Sequence, residues 1–144
     1  MSVKLEAFSW DSIKVSMGVT ADPAAGAQIA DIVVPAGMRR LYYQFQATIV
    51  CDATVANRIP VLRTLVNGTA IDFVSSDGAT VVGSGTGFQS FIGNSLFNVA
   101  GRQYGQYIPL MEVPAGAIHR FFYVGLVAGD NIGVCTYFYK EAPA

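Results

Sequence analysis

A chain of 144 residues predicts one domain, large enough to bury its own core without disulfide or metal staples. Charged residues make up 13% against 52% apolar, about half the roughly 25% charge of an average chain, and the formal net charge is -1. The nine Lys and Arg are scattered, only Arg39 and Arg40 being adjacent, which excludes the clustered cations that a nucleic-acid partner requires.

Residues 1–11 carry Phe8 and Trp10 among mixed charges with no period, and read as an arm that orders when it docks. The domain proper is expected over 12–140, with a short tail at 141–144. From Ser12 to Val19, the apolar Ile13, Val15, Met17 and Val19 alternate with polar or small residues, the two-residue period of a half-buried strand. A second strand is expected from Gln28 to Val34, ending at the tight turn Pro35-Ala36-Gly37. The longest runs from Arg39 to Val50, with Leu41, Tyr43, Phe45, Ala47 and Ile49 on one face and Arg40, Tyr42, Gln44 and Gln46 on the other. Asp52 to Asn57 reads as a compact loop in which Asp52 accepts backbone N–H groups. Ile59–Val66 and Thr69–Val74 form the clearest hairpin, joined by Asn67-Gly68.

Beyond it, 75–87 is a Gly/Ser-rich loop with a short strand at Ala79–Val82, and Phe88–Phe97 resumes β character. A loop over Asn98–Gly105 is followed by strands at Gln106–Val113, Ala117–Val127 and Asn131–Tyr139. The tetrapeptide Val34-Pro35-Ala36-Gly37 recurs as Val113-Pro114-Ala115-Gly116, each copy turning the chain into an aromatic strand. No helical period of ten residues is present. Eight or nine short strands at this spacing predict an all-β sandwich or jelly roll.

The residues offer little chemistry. His119 is the only histidine, so neither a triad nor a set of metal ligands can be assembled around it, and a structural role is expected. Gly83-Ser84-Gly85-Thr86-Gly87 resembles a phosphate-cradling loop, but Phe88 follows where a Lys and a helix are required. The ten acids fall mostly in turns; a calcium site near Asp72, Asp77 and Asp130 fits no ligand spacing. No catalytic residue, metal or cofactor is expected. No apolar run reaches the roughly 18–20 residues of a membrane helix, so no membrane partner is expected. The first twelve residues, MSVKLEAFSWDS, lack the apolar stretch of a secretory signal, so Cys51 and Cys135 are expected as free thiols.

The run Asp52-Ala53-Thr54-Val55-Ala56-Asn57-Arg58 follows a strand opened by Val-Pro-Ala-Gly. A later strand is again opened by Val-Pro-Ala-Gly and closed by Gly129-Asp130-Asn131-Ile132. This combination, spanning roughly Ile29 to Glu141, resembles small β-sandwich virion proteins of tailed bacteriophages, and within that group capsid cement or decoration proteins. The resemblance rests on turn chemistry and carries over no catalytic residue. It implies a non-enzymatic jelly roll, made in the host cytoplasm, that sits on the outer capsid surface. There it would associate with itself as a dimer or trimer and clamp neighbouring subunits of the major capsid protein. Aromatic residues and Arg are favoured at interface centres, which makes Phe8, Trp10, Arg39, Arg40, Arg58, Arg63 and Arg120 the candidate contacts. The alternative is a carbohydrate-binding β-sandwich of a phage tail or fibre, with exposed Tyr or Trp as stacking platforms.

Overall fold

The alternating runs become ten strands in the computed structural model, which describes residues 8–54, 56, 58–74, 85–92, 103–107 and 110–144. They are β1 Ser16–Val19, β2 Ile32–Val33, β3 Met38–Cys51, β4 Ile59–Val66 and β5 Thr69–Val74, then β6 Gly85–Ile92, β7 Gln103–Tyr107, β8 Met111–Val113, β9 Ile118–Val124 and β10 Asn131–Pro143. A single 3-10 turn at Trp10–Ser12 is the only helical element among the described residues.

The pairing is nested. β1 pairs with β10, β2 with β9, β3 with β6 and β4 with β5, all antiparallel. One long hairpin bent over on itself gives this order, and its two packed layers are β1-β10-β3-β6 and β2-β9-β4-β5. That is a jelly roll, the two-sheet solution for antiparallel strands that each have one apolar face. β7 extends the first sheet in parallel beyond β6, and β8 pairs with the start of β3. The β4–β5 tip turns at Asn67 (φ 50°) and Gly68 (φ 79°), the paired positive φ angles that match a hairpin's twist. At the same end the two Val-Pro-Ala-Gly copies lock together. Val34 N donates to Ala117 O at 2.9 Å, and Gly116 N donates to Val34 O at 3.0 Å.

The core lies between the layers and includes Ile32, Val34, Tyr42, Phe45, Ile49, Leu62, Phe121, Tyr123 and Ile132. β4 and β5 have the extents that their alternation predicts. Other expectations need correction. β3 does not keep one face, because Tyr43 is unpaired between Tyr42↔Tyr139 and Gln44↔Phe138. This bulge reverses the alternation, so Arg40 and Tyr42 point inward with Phe45, Ala47 and Ile49. It falls where β3 passes from pairing with β8 to pairing with β6. A second bulge, Gly133-Val134 opposite Thr48, resets β10 in the same way. The expected strand at Gln28–Val34 shrinks to two residues. The expected tail at 141–144 is largely strand, Glu141, Ala142 and Pro143 pairing with Arg40, Arg39 and Met38. Gln103–Gly105, expected in a loop, belongs to β7, and the expected strand at Gln106–Val113 is divided between β7 and β8. The 75–84 part of the Gly/Ser loop, with its expected short strand, and residues 93–102 lie outside the described residues.

β1 departs furthest. Its apolar Met17 and Val19, with Val15 just before it, were expected on a buried face and are instead 62%, 52% and 53% exposed. Gly18 takes the inward position, covered by Tyr137, because a Cβ there would land inside the Tyr137 ring. Gly18→Ala should therefore cost about 1–3 kcal/mol, as overpacking does in other cores. Urea unfolding of this variant, and of Gly18→Ala combined with Tyr137→Leu, checks it: the second change should recover part of the loss.

Candidate functional site

Three loops meet at the end of the sandwich opposite the hairpin tip, and a buried ion pair holds them. Arg58, just before β4, and Asp130, just before β10, are both fully buried and meet at 2.6 Å, Nε to Oδ2. Asp130 also accepts Asp52 N at 3.0 Å and Val127 N at 2.9 Å, and its backbone oxygen accepts Gly26 N at 2.7 Å. Arg58 donates further to Asp52 Oδ1 at 3.3 Å, Thr54 O at 3.1 Å and Ala56 O at 3.3 Å. Asp52 accepts Thr54 N at 2.8 Å, the turn expected from its sequence. Burial opposes ionisation of Asp130, but the Arg58 hydrogen bond and the two N–H groups outweigh it and hold the carboxyl below the usual range. Gly129 permits the approach, since a Cβ there would strike the Asp52 carboxylate. The cluster joins the two sheets through the loops after β1, β3 and β9.

Arg58 was expected at an interface; full burial makes it an internal clamp instead. Arg40 is also mostly buried, donating to Glu141 at 2.5 Å and to the Tyr42 hydroxyl at 3.2 Å, with its guanidinium 4.2 Å from the Tyr139 ring centroid. Beside it sits His119, its Nδ1 2.9 Å from Thr64 Oγ1 and its ring edge-on to Tyr42 at 4.3 Å. Burial first, and the Arg40 charge second, push its pKa down to about 4, so the imidazole is neutral. Nε2 has no hydrogen-bond partner among the described residues. Fully buried and wedged against the Tyr42 and Phe45 rings, the neutral imidazole packs as part of the core.

The remaining expected contacts lie on the two outer faces. On the first sheet, residues 8–12 fold back onto the domain, contrary to a free arm. Trp10 Nε1 donates to Glu112 at 3.0 Å, Lys140 Nζ donates to Trp10 O at 2.8 Å, and the Arg39 guanidinium lies 3.9 Å from the Phe8 ring centroid. Phe8 and Trp10 pack edge to face at 5.1 Å. Phe8, Trp10 and Arg39 are thus brought together, with Glu112 as an unforeseen fourth member. On the second sheet, Arg63 and Arg120 are directly opposite on β4 and β9. Like charges so placed repel. Each is neutralised by a two-point carboxylate contact, Arg63 with Asp72 at 2.6 and 2.7 Å and Arg120 with Asp31 at 2.7 and 2.8 Å. The result is an Asp-Arg-Arg-Asp row across a face otherwise carrying Val33, Ile118, Leu65, Phe122 and Val124.

Asp72 and Asp130 are each committed to an arginine, and Asp77 lies outside the described residues. Among the described residues no three His, Cys, Asp or Glu gather as a metal site, and no helix is long and apolar enough to cross a membrane. Cys51 and Cys135 are free and buried, and burial raises both thiols, Cys135 to about 12. They are poor nucleophiles as placed. What sequence reasoning missed is the aliphatic stripe Val15, Met17 and Val19; its alternation was visible, but its direction depended on the Gly18–Tyr137 contact. The chain matches no protein-family model, no curated protein and no solved structure.

Proposed function

We propose that this is a non-enzymatic structural protein of a tailed-phage virion, which binds the outer capsid surface and stabilises the head by clamping neighbouring major capsid subunits. The observation that carries the reading is a sandwich pinned at both ends, with aliphatic and aromatic side chains left on its outer faces. Among the described residues ten large apolar side chains are exposed, including Phe8, Val15, Met17, Val19, Val33 and Val124, on a chain with little net charge to keep copies apart. A clip that spreads load across subunit joints needs contact area and stiffness. The apolar faces supply the first, and the buried Arg58–Asp130 clamp with the locked Val-Pro-Ala-Gly turns supplies the second. The motif resemblance around Val34–Arg58 and Val113–Ile132 points the same way.

Mapping the protein on purified virions tests this. Many copies spread over the head lattice are expected. A few copies at the tail tip, together with saturable binding of the isolated protein to host glycans, would replace it with the tail or fibre carbohydrate-binding reading.

A further inference from the structure

We propose that β1 is a two-fold interface, pairing edge to edge with β1 of a second copy. β1 closes one side of the first sheet, with β10 as its only strand partner among the described residues. Backbone groups alternate direction along a strand. Thr20 N donates to Cys135 O at 2.9 Å and Cys135 N donates back to Thr20 Oγ1 at 2.9 Å on the β10 side, so within β1 Gly18 and Ser16 direct their N–H and C=O groups toward β10. Met17 and Val19 direct theirs to the open side, and Val15 immediately precedes the strand.

Proteins normally guard such an edge with charges, proline or a bulge. From Ile13 to Thr20 the chain carries one charge, Lys14, and no proline. The residues with open backbone groups are instead among the most exposed apolar side chains of the protein. Val134, 38% exposed, and half-buried Phe138 continue the apolar surface along β10. The described part of the arm runs the other way, over β10 and β3 toward Glu112, and leaves the edge clear.

The edge is complementary to itself. An antiparallel two-fold centred on Met17 sets Met17 opposite Met17 and Val15 opposite Val19 in both directions, so every exposed aliphatic on the strand gains an apolar partner. Centring on Val19 would instead drive the partner into the loop at Asp22-Pro23. A closed two-fold of this kind uses up both edges and stops at a dimer. The interface needs only the isolated chain, so its failure is separate from that of the capsid reading.

Sedimentation of the full chain should give twice 15.3 kDa, and Met17→Lys should return it to the single-chain mass, still folded and cooperative but with a melting temperature that no longer rises with protein concentration. Met17→Cys supplies a second readout. A hydrogen-bonded antiparallel pair places Cα atoms about 5.5 Å apart, inside the range a disulfide spans. Oxidised glutathione should therefore convert Met17→Cys to a covalent dimer and leave Ser16→Cys, on the opposite face, uncrosslinked. A single-chain mass for the unaltered protein, a trimer, or a dimer indifferent to Met17→Lys and uncrosslinked in Met17→Cys overturns the proposal.

Discussion

Asp130→Ala should destabilise the protein by about 3–5 kcal/mol, the loss expected when one partner of a buried ion pair is removed. The variant strands the fully buried Arg58 guanidinium without its 2.6 Å partner, and it also leaves Asp52 N and Val127 N without their acceptor. The second effect distinguishes this site from a simple ion pair, because the same carboxylate closes the loops after β3 and β9. Arg58→Met combined with Asp130→Leu should recover part of the loss, since two apolar groups of similar volume leave no uncompensated charge. The N–H groups remain unsatisfied, so recovery should be incomplete. Urea midpoints at neutral pH measure both. A loss for Asp130→Ala below about 1 kcal/mol, the scale of an exposed pair, would mean that water reaches Arg58 and that the clamp is not buried in solution.

Lowering the pH from 6.5 to about 4 should remove about 3 kcal/mol of stability through His119 alone. In the folded chain the imidazole is held near 4 by burial, with the Arg40 charge adding to it, against an ordinary value of 6.5. The unfolded chain therefore takes the proton first as the pH falls. Stability from this group is complete above pH 6.5, declines through the interval and has gone once the folded ring protonates. His119→Gln cannot titrate and should flatten that interval. Below it a second decline belongs to the carboxylates. Asp130, Asp31 and Asp72 are each held under the usual range by an arginine, and their contribution is present above that range and lost beneath it. Denaturant unfolding across the pH range separates the two. An unaltered slope between pH 6.5 and 4 in His119→Gln would assign the acid sensitivity elsewhere.

Both expectations concern residues whose importance lies in contacts far apart along the chain, and this marks the limit of what the sequence carried. Turn chemistry and local period were legible. Asn67-Gly68 required positive φ at both positions and so specified the β4–β5 hairpin, and Asp52 specified its own turn through a hydrogen bond two residues away. The all-β sandwich followed from the density of such turns between short alternating runs. Strand direction relative to the core was a different matter. Alternation alone cannot say which of two faces is buried, nor show where one extra residue reverses it. The Tyr43 bulge depends on β3 exchanging β8 for β6 as its neighbour, and the outward turn of Met17 depends on Tyr137 occupying the space above Gly18. The clamp was hidden for the same reason, since Arg58 and Asp130 are 72 residues apart and only the nested pairing of strands brings their loops to one end. Local interactions are written in neighbouring residues, whereas burial and charge pairing here are decided by which loops the jelly roll stacks together.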